Sequence, residues 1–395
     1  MSVEIVFETH ALVRTHTLVR RISVAGRSDV VAALLGMGDR PAPVVIRRWA
    51  SDRPRGVPHL EIVCDESGFS GGNLVGGHAP VFAHASVRID GATAAAVIAD
   101  LRRRMDGGPP GELKANALLR PRHRGLVHDL LGPDGPLAGT ARVHLVDTVY
   151  FALARLADLL GDGAQALRGT DSPGRDPTAR HAALVLHARG PATYGPDRWR
   201  HFLNRAADLM RTNKRSTPRE PVAPFAAALD GLLETPGDVA DVLRPMRARL
   251  PAAAAVRAAL KADPKLATLL EPVVPALARA VAMWSTSGGT LSVVHDDQSA
   301  VTPERVAAIA AGTGLVEVTL VDSRTDPRVQ VADLLAGVAR RLASDQLAGR
   351  AQSNNGLTAL LRHAIDPEST WADADSWSAL SPTGQPPRRC STISA

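Results

Sequence analysis

The sequence predicts an α/β fold in which a mixed sheet is flanked by helices and interrupted by a helical insertion. Three observations carry that expectation. The strand-like runs "LEIVCDE", "ARVHLVD", "TLSVVHDD" and "LVEVTLVD" each end in acid. Helical patterns separate them, as expected of a chain that alternates strand and helix around one sheet. Between the second and third runs the apolar residues recur at helical spacing only, over a stretch too long to be a loop.

In chain order, residues 1–57 hold two apolar runs, "VEIVF" and "PVVIRRW", and close on the charged, Pro-rich link "SDRPRGVP", a natural boundary. This N-terminal extension has no assigned role. The main domain is expected over 58–381. It opens with the strand "LEIVC", a Gly-rich turn, a strand around "NLVGG" and another at "VFAHASVRI", the pattern of an antiparallel meander. The helix "TAAAVIADLRRRM" follows, then Pro and Gly, then "GELKANALL" running into "RHRGLVHDLL", and then the strand that ends at Asp147. Helical periodicity dominates from "FALARLADLLG" onward, and the insertion is expected over about 162–283. Two more strands bracket the helix "PERVAAIAAG", and "VQVADLLAGVARRLA" is the last strong helix. Residues 382–395, polar and Pro-rich, are expected to be disordered.

Composition narrows the function classes. The net charge is +6, but of 46 basic residues only Lys114, Lys214, Lys261 and Lys265 are lysines. With the Ala-rich helices, this is the bias of a GC-rich genome, so net charge alone does not argue for a polyanion partner. Aromatic residues at 3% leave few platforms for stacking bases. Cys64 and Cys390 form neither a disulfide framework nor a zinc cluster, which leads to the expectation of a reducing, cytoplasmic compartment. No apolar run reaches the ~18 residues a membrane helix needs, so no membrane partner is expected. Oligomeric state has no signature here.

The acids are the most informative feature. Asp after a strand is ordinary turn chemistry, but parallel neighbours place their carboxyl ends on one edge of a sheet, where sites form. That singles out Asp65 with Glu66, Asp147, Asp296 and Asp322. Glu112 in "GELKA" and Asp333 in "QVADLLAG" stand in helical contexts, and the apolar neighbours of Asp333 imply a buried helix on which an acid needs a partner. Lys114, a lysine kept in an arginine-dominated chain, suits a place where a compact point charge fits. His295, a single histidine near a strand end, reads as structural.

The series "CDESG", "GELKA", "VHLVD", "VVHDDQ" and "VDSRTDPRVQVADLLAG" resembles the family catalogued as domain of unknown function 3800, within the ribonuclease H-like superfamily, over roughly residues 60–344. The resemblance implies three antiparallel strands, a helix, and then strands parallel to the first. It also implies that carboxylates from the first strand, the first helical region, the fourth strand and a late helix gather around Mg²⁺ or Mn²⁺. Residue by residue these are Asp65, Glu112, Asp147 and Asp333, with Glu66, Asp296, Asp322 and Gln330 in supporting places. Such carboxylates repel one another unless a cation neutralises them, and Mg²⁺ prefers oxygen ligands. Two ions ~3.5–4 Å apart suit phosphodiester hydrolysis, with Lys114 offsetting charge on the phosphate and Gln330 positioning Asp333 or substrate. The implied function is a metal-dependent nuclease acting on nucleic acid, and the insertion helix "RWRHFLNRAADLMR" is expected to border the substrate groove. The alternative is a non-catalytic ribonuclease H-like scaffold that binds nucleic acid or protein.

Overall fold

The computed structural model describes residues 4–7, 44–47, 57–68, 79–105, 113–161, 170–211, 220–262, 269–285, 289–350 and 355–384. Glu112, the expected strand around "NLVGG", most of the N-terminal extension and the segment from 385 onward lie outside these residues.

Strands β3 (His59–Ser67), β4 (Val81–Val87), β5 (Ala141–Asp147), β6 (Thr290–Asp296) and β7 (Leu315–Val321) form a mixed sheet. Two four-residue strands, β1 (Glu4–Phe7) and β2 (Val44–Arg47), extend it beyond β7, giving the order β1-β2-β7-β6-β3-β4-β5. β3 and β4 pair antiparallel, as do β4 and β5, whereas β6 runs parallel to β3 and β7 parallel to β6. The consecutive burial of Ile62, Val63, Cys64 and Asp65 shows that β3 is covered on both faces, as expected of a central strand between antiparallel β4 and parallel β6 with helices on either side. One point differs from the resemblance. "ARVHLVD", expected as a strand beyond the meander, is instead the third antiparallel strand and the far edge of the sheet, while β6 takes the place beside β3.

Side chains alternate across the sheet. Val63, Ala83, Ala85, Val143 and Leu145 face one layer, built from α1 (Gly91–Arg104), α2 (Ala115–Leu118), α3 (Arg124–Leu131) and a long late helix. Ile62, Cys64, Phe82, Val146 and Val293 face the other. Asp90 caps α1, its carboxylate accepting the Thr93 N–H at 2.8 Å and the Thr93 hydroxyl at 2.7 Å. Asp90→Ala should therefore cost about 1 kcal/mol in chemical denaturation, and Asp90→Asn much less.

After β5 the chain enters α4 (Thr148–Gly161), α5 (Pro177–Tyr194), α6 (Pro196–Met210), α7 (Val222–Leu233), α8 (Asp238–Ala248) and α9 (Leu250–Ala262). These bury a core of their own, including Leu156, Trp199, Phe202, Phe225 and Leu243. α10 (Val273–Trp284) lies within the bounds expected for the insertion but packs on the sheet, against Ile62, Phe82 and Leu291. α11 (Pro303–Ala310) links β6 to β7, and α12 (Pro327–Leu347), α13 (Asn355–Leu361) and α14 (Ala374–Leu380) follow. The arginines of α6 serve the insertion itself: Arg198 donates to the Gly231 carbonyl at 2.6 Å, and Arg200 pairs with Asp197 at 2.9 Å. No helix among the described residues is long and apolar enough to cross a membrane.

Candidate functional site

α12 begins on Asp326, whose carboxylate accepts the Arg328 N–H at 2.9 Å, with Pro327 in the first turn. The helix then lies across β3 and β4. Asp333, Gly337 and Arg340 fall at helical positions i, i+4 and i+7, hence on one face. Gly337 lets α2 come close: a methyl group there would stand 2.5 Å from the Ala115 Cβ. That approach sets Lys114, just ahead of α2, with its Nζ 3.9 Å from Asp333 Oδ2. Farther along, Arg340 donates from Nε to the Ser67 hydroxyl at 3.0 Å, at the end of β3. The next residue, Gly68, has φ +99°, and a side chain there would meet the Val81 carbonyl at 2.6 Å and Arg340 Cδ at 2.7 Å. The end of β3 and the middle of α12 are thus fitted together through glycines. Gly337→Ala should overpack this seam, costing about 1–3 kcal/mol, and should displace Lys114 from Asp333; denaturation and cleavage assays would read the two effects separately.

Asp65, two residues before Ser67 on β3, is only 5% exposed. Burial, then the charges of Glu66, Asp296 and Asp333, push its carboxyl up to about 9, with the Glu66 N–H opposing the shift at 2.6 Å. Asp65, Asp296 and Asp333 therefore share one electrostatic neighbourhood although they are far apart in sequence. Asp296 ends β6, the strand beside β3, and its Oδ1 accepts the Ser323 N–H at 3.0 Å, tying that strand to the turn that leads into α12. Burial and Arg341 press the Arg340 guanidinium below its ordinary pKa while Asp333 opposes them.

Asp147 does not join them. Asp65 is level with Ala85 and Ala85 with Val143, so Asp147 lies two strands away and four residues farther along, roughly 16 Å from Asp65 by backbone spacing. Its carboxylate is engaged locally: Oδ1 accepts the N–H groups of Val149 and Tyr150 at 3.0 and 3.1 Å, opening α4, and Oδ2 lies 2.8 Å from His187 Nε2. Burial would lower the His187 pKa, but Asp147 outweighs it and holds the imidazole above its ordinary value. This acid fastens the insertion to the sheet.

The supporting residues also separate. Asp322 is clamped by Arg324 through Nε at 2.9 Å, and this pairing lowers its pKa. Gln330 does not reach toward Asp333; its amide donates to the Ser323 carbonyl at 3.0 Å and braces the turn. Glu66 points to the other face, accepting from Gln298 Nε2 at 2.5 Å and lying 3.9 Å from His295 Nε2. His295 is not solitary there, since His84 Nε2 stands 3.2 Å from its own Nε2.

A scan of family models, and searches of curated proteins and of solved structures, find no match for this chain.

The donor chemistry at the edge suits a hard divalent cation, because Asp65, Asp296 and Asp333 offer only oxygen and their repulsion is already expressed at Asp65. Among the described residues no group of three or more His, Cys, Asp or Glu side chains is placed so that it could hold a metal ion by itself. Mg²⁺ does not require three, since it commonly uses one or two carboxylates together with waters and substrate phosphates.

Proposed function

We propose that this chain is a divalent-metal-dependent nuclease of ribonuclease H-like architecture, in keeping with its resemblance to the domain of unknown function 3800 family. The observation that carries the reading is Asp65: a carboxyl buried at a strand end, with acids of β6 and α12 around it, pushed up to about 9. In the metal-free protein such a carboxyl keeps its proton, and it ionises at neutral pH when positive charge enters the site. The strand order and directions support the architecture, with three antiparallel strands followed by two parallel to the first.

On this reading Asp65 and Asp333 hold Mg²⁺ or Mn²⁺, with Asp296 replacing Asp147 as the third acid. The cation supplies Lewis-acid stabilisation of a phosphoryl group and a water of lowered pKa. Lys114 and Arg340 border the same acids and offset negative charge on the phosphate. Ser67 orients Arg340 through its hydroxyl.

Purified protein incubated with labelled RNA, DNA and hybrid duplexes should cut phosphodiester bonds with Mg²⁺ or Mn²⁺ and not with EDTA. The competing reading, a scaffold that binds nucleic acid without cutting it, is favoured by the lack, among the described residues, of three acids or histidines grouped to hold a metal ion. Binding without cleavage under every metal condition would select it.

A further inference from the structure

Beside the acid edge lies a cavity of about 390 Å³ whose walls carry Arg120, Arg124, Arg341 and Arg350 around a single carboxylate, Asp345. Asp345 is buried and already divided between two of them, with Arg341 Nε at 3.2 Å and Arg350 Nη2 at 3.4 Å. Elsewhere several exposed arginines have a carboxylate of their own, as in Arg200 with Asp197, Arg244 with Asp241 and Arg247 with Asp230. Here four arginines and one acid line a single concave space. The net charge of the sequence does not foretell this; the clustering does.

We propose that this cavity binds a phosphate of the same nucleic-acid strand whose reacting phosphodiester lies at the acid edge. The placement follows from shared elements. Asn116, in the cavity wall, is two residues beyond Lys114, and Arg341 directly follows Arg340. Eight residues along α12 carry the chain from Asp333 to Arg341, about 12 Å of helix. The cavity is therefore too far to receive the reacting phosphate and near enough to hold another on the same strand. Guanidinium forks suit phosphate oxygens, and such contacts fix the register of a strand without reading its bases. The assignment of the scissile position rests on the nuclease reading, but binding in the cavity does not require cleavage.

The test is fluorescence anisotropy of a labelled single-stranded oligonucleotide in EDTA, so that no cleavage occurs. Arg120 and Arg350 are exposed, and Arg341 still pairs with Asp345 when Arg350 is removed. The double variant Arg120→Ala/Arg350→Ala should weaken binding about tenfold at fixed salt, and its log K against log[salt] slope should be shallower by about 1.4. Because the titration is done without metal, the double variant is read whether or not wild type cleaves with Mg²⁺, which separates failure of the cavity from failure of the nuclease reading. Unchanged affinity and slope in the double variant would overturn the proposal. So would inorganic phosphate raising the melting temperature of wild type alone while the oligonucleotide fails to bind, which would mark a free-phosphate pocket.

Discussion

Asp65→Asn is expected to abolish Mg²⁺-dependent cleavage, by about three orders of magnitude or more, while the protein keeps its fold. Asparagine preserves the shape of the side chain and removes the charge that attracts a cation. The same substitution should change how stability depends on pH. In the folded, metal-free protein the Asp65 carboxyl is held at about 9, against 3.8 ordinarily. Across that interval the unfolded chain has lost the proton and the folded chain keeps it, so folding takes up a proton. Stability then falls as pH rises from about 4 to about 9 and levels off above, a contribution of several kcal/mol at full extent. Melting curves in EDTA across this range should decline for wild type and flatten for Asp65→Asn. Parallel curves would mean that Asp65 is not under the strain described.

The largest loss of stability is expected from Asp366→Ala. Asp366 is fully buried on the α10 face, where it accepts two hydrogen bonds from Arg279, at 3.0 and 2.9 Å, and one contact from His144 Nδ1 at 2.8 Å. Burial alone would raise its pKa, but His144 and Arg279 together hold it well below the usual carboxylate range. Its contribution is thus present above about pH 4 and lost as pH falls further. The segment after α13 is pinned to β5 through this acid, since the Asp366 N–H also donates to the Val143 carbonyl at 2.7 Å. Removing the carboxylate leaves His144 and the inner edge of Arg279 without a partner, at a cost of about 3–5 kcal/mol in urea denaturation. Because Asp366 lies on the opposite face from Asp65, the residual folded fraction should bind Mn²⁺ normally.

The alternation of strand and helix was legible because apolar periodicity records which faces are covered, and "HLEIVCDES" announces a strand buried on both sides. Asp65 and Asp333 were legible as acids set among apolar neighbours. Asp147 misled for a physical reason. An acid that caps the helix after its strand, and pairs with a histidine forty residues on, looks in sequence the same as one that serves a site. Asp296 could be preferred only once strand order placed β6, not β5, beside β3, and strand order depends on contacts that no local pattern encodes. Arg340 and Gly337 do carry a signal in the sequence: in "ADLLAGVAR" the spacing from Asp333 places all three on one helical face. The histidines His84, His144 and His295 carry no periodicity that reveals their shared layer.

The most direct test of the central claim, that Asp65, Asp296 and Asp333 form a cation-binding edge, is calorimetric titration of the metal-free protein with Mn²⁺. Wild type should bind, Asp65→Asn and Asp333→Asn should lose most of the affinity, and Asp296→Asn should lose part of it. Affinity unaffected by Asp65→Asn, or no binding by wild type in the presence of a non-cleavable oligonucleotide, would contradict the account.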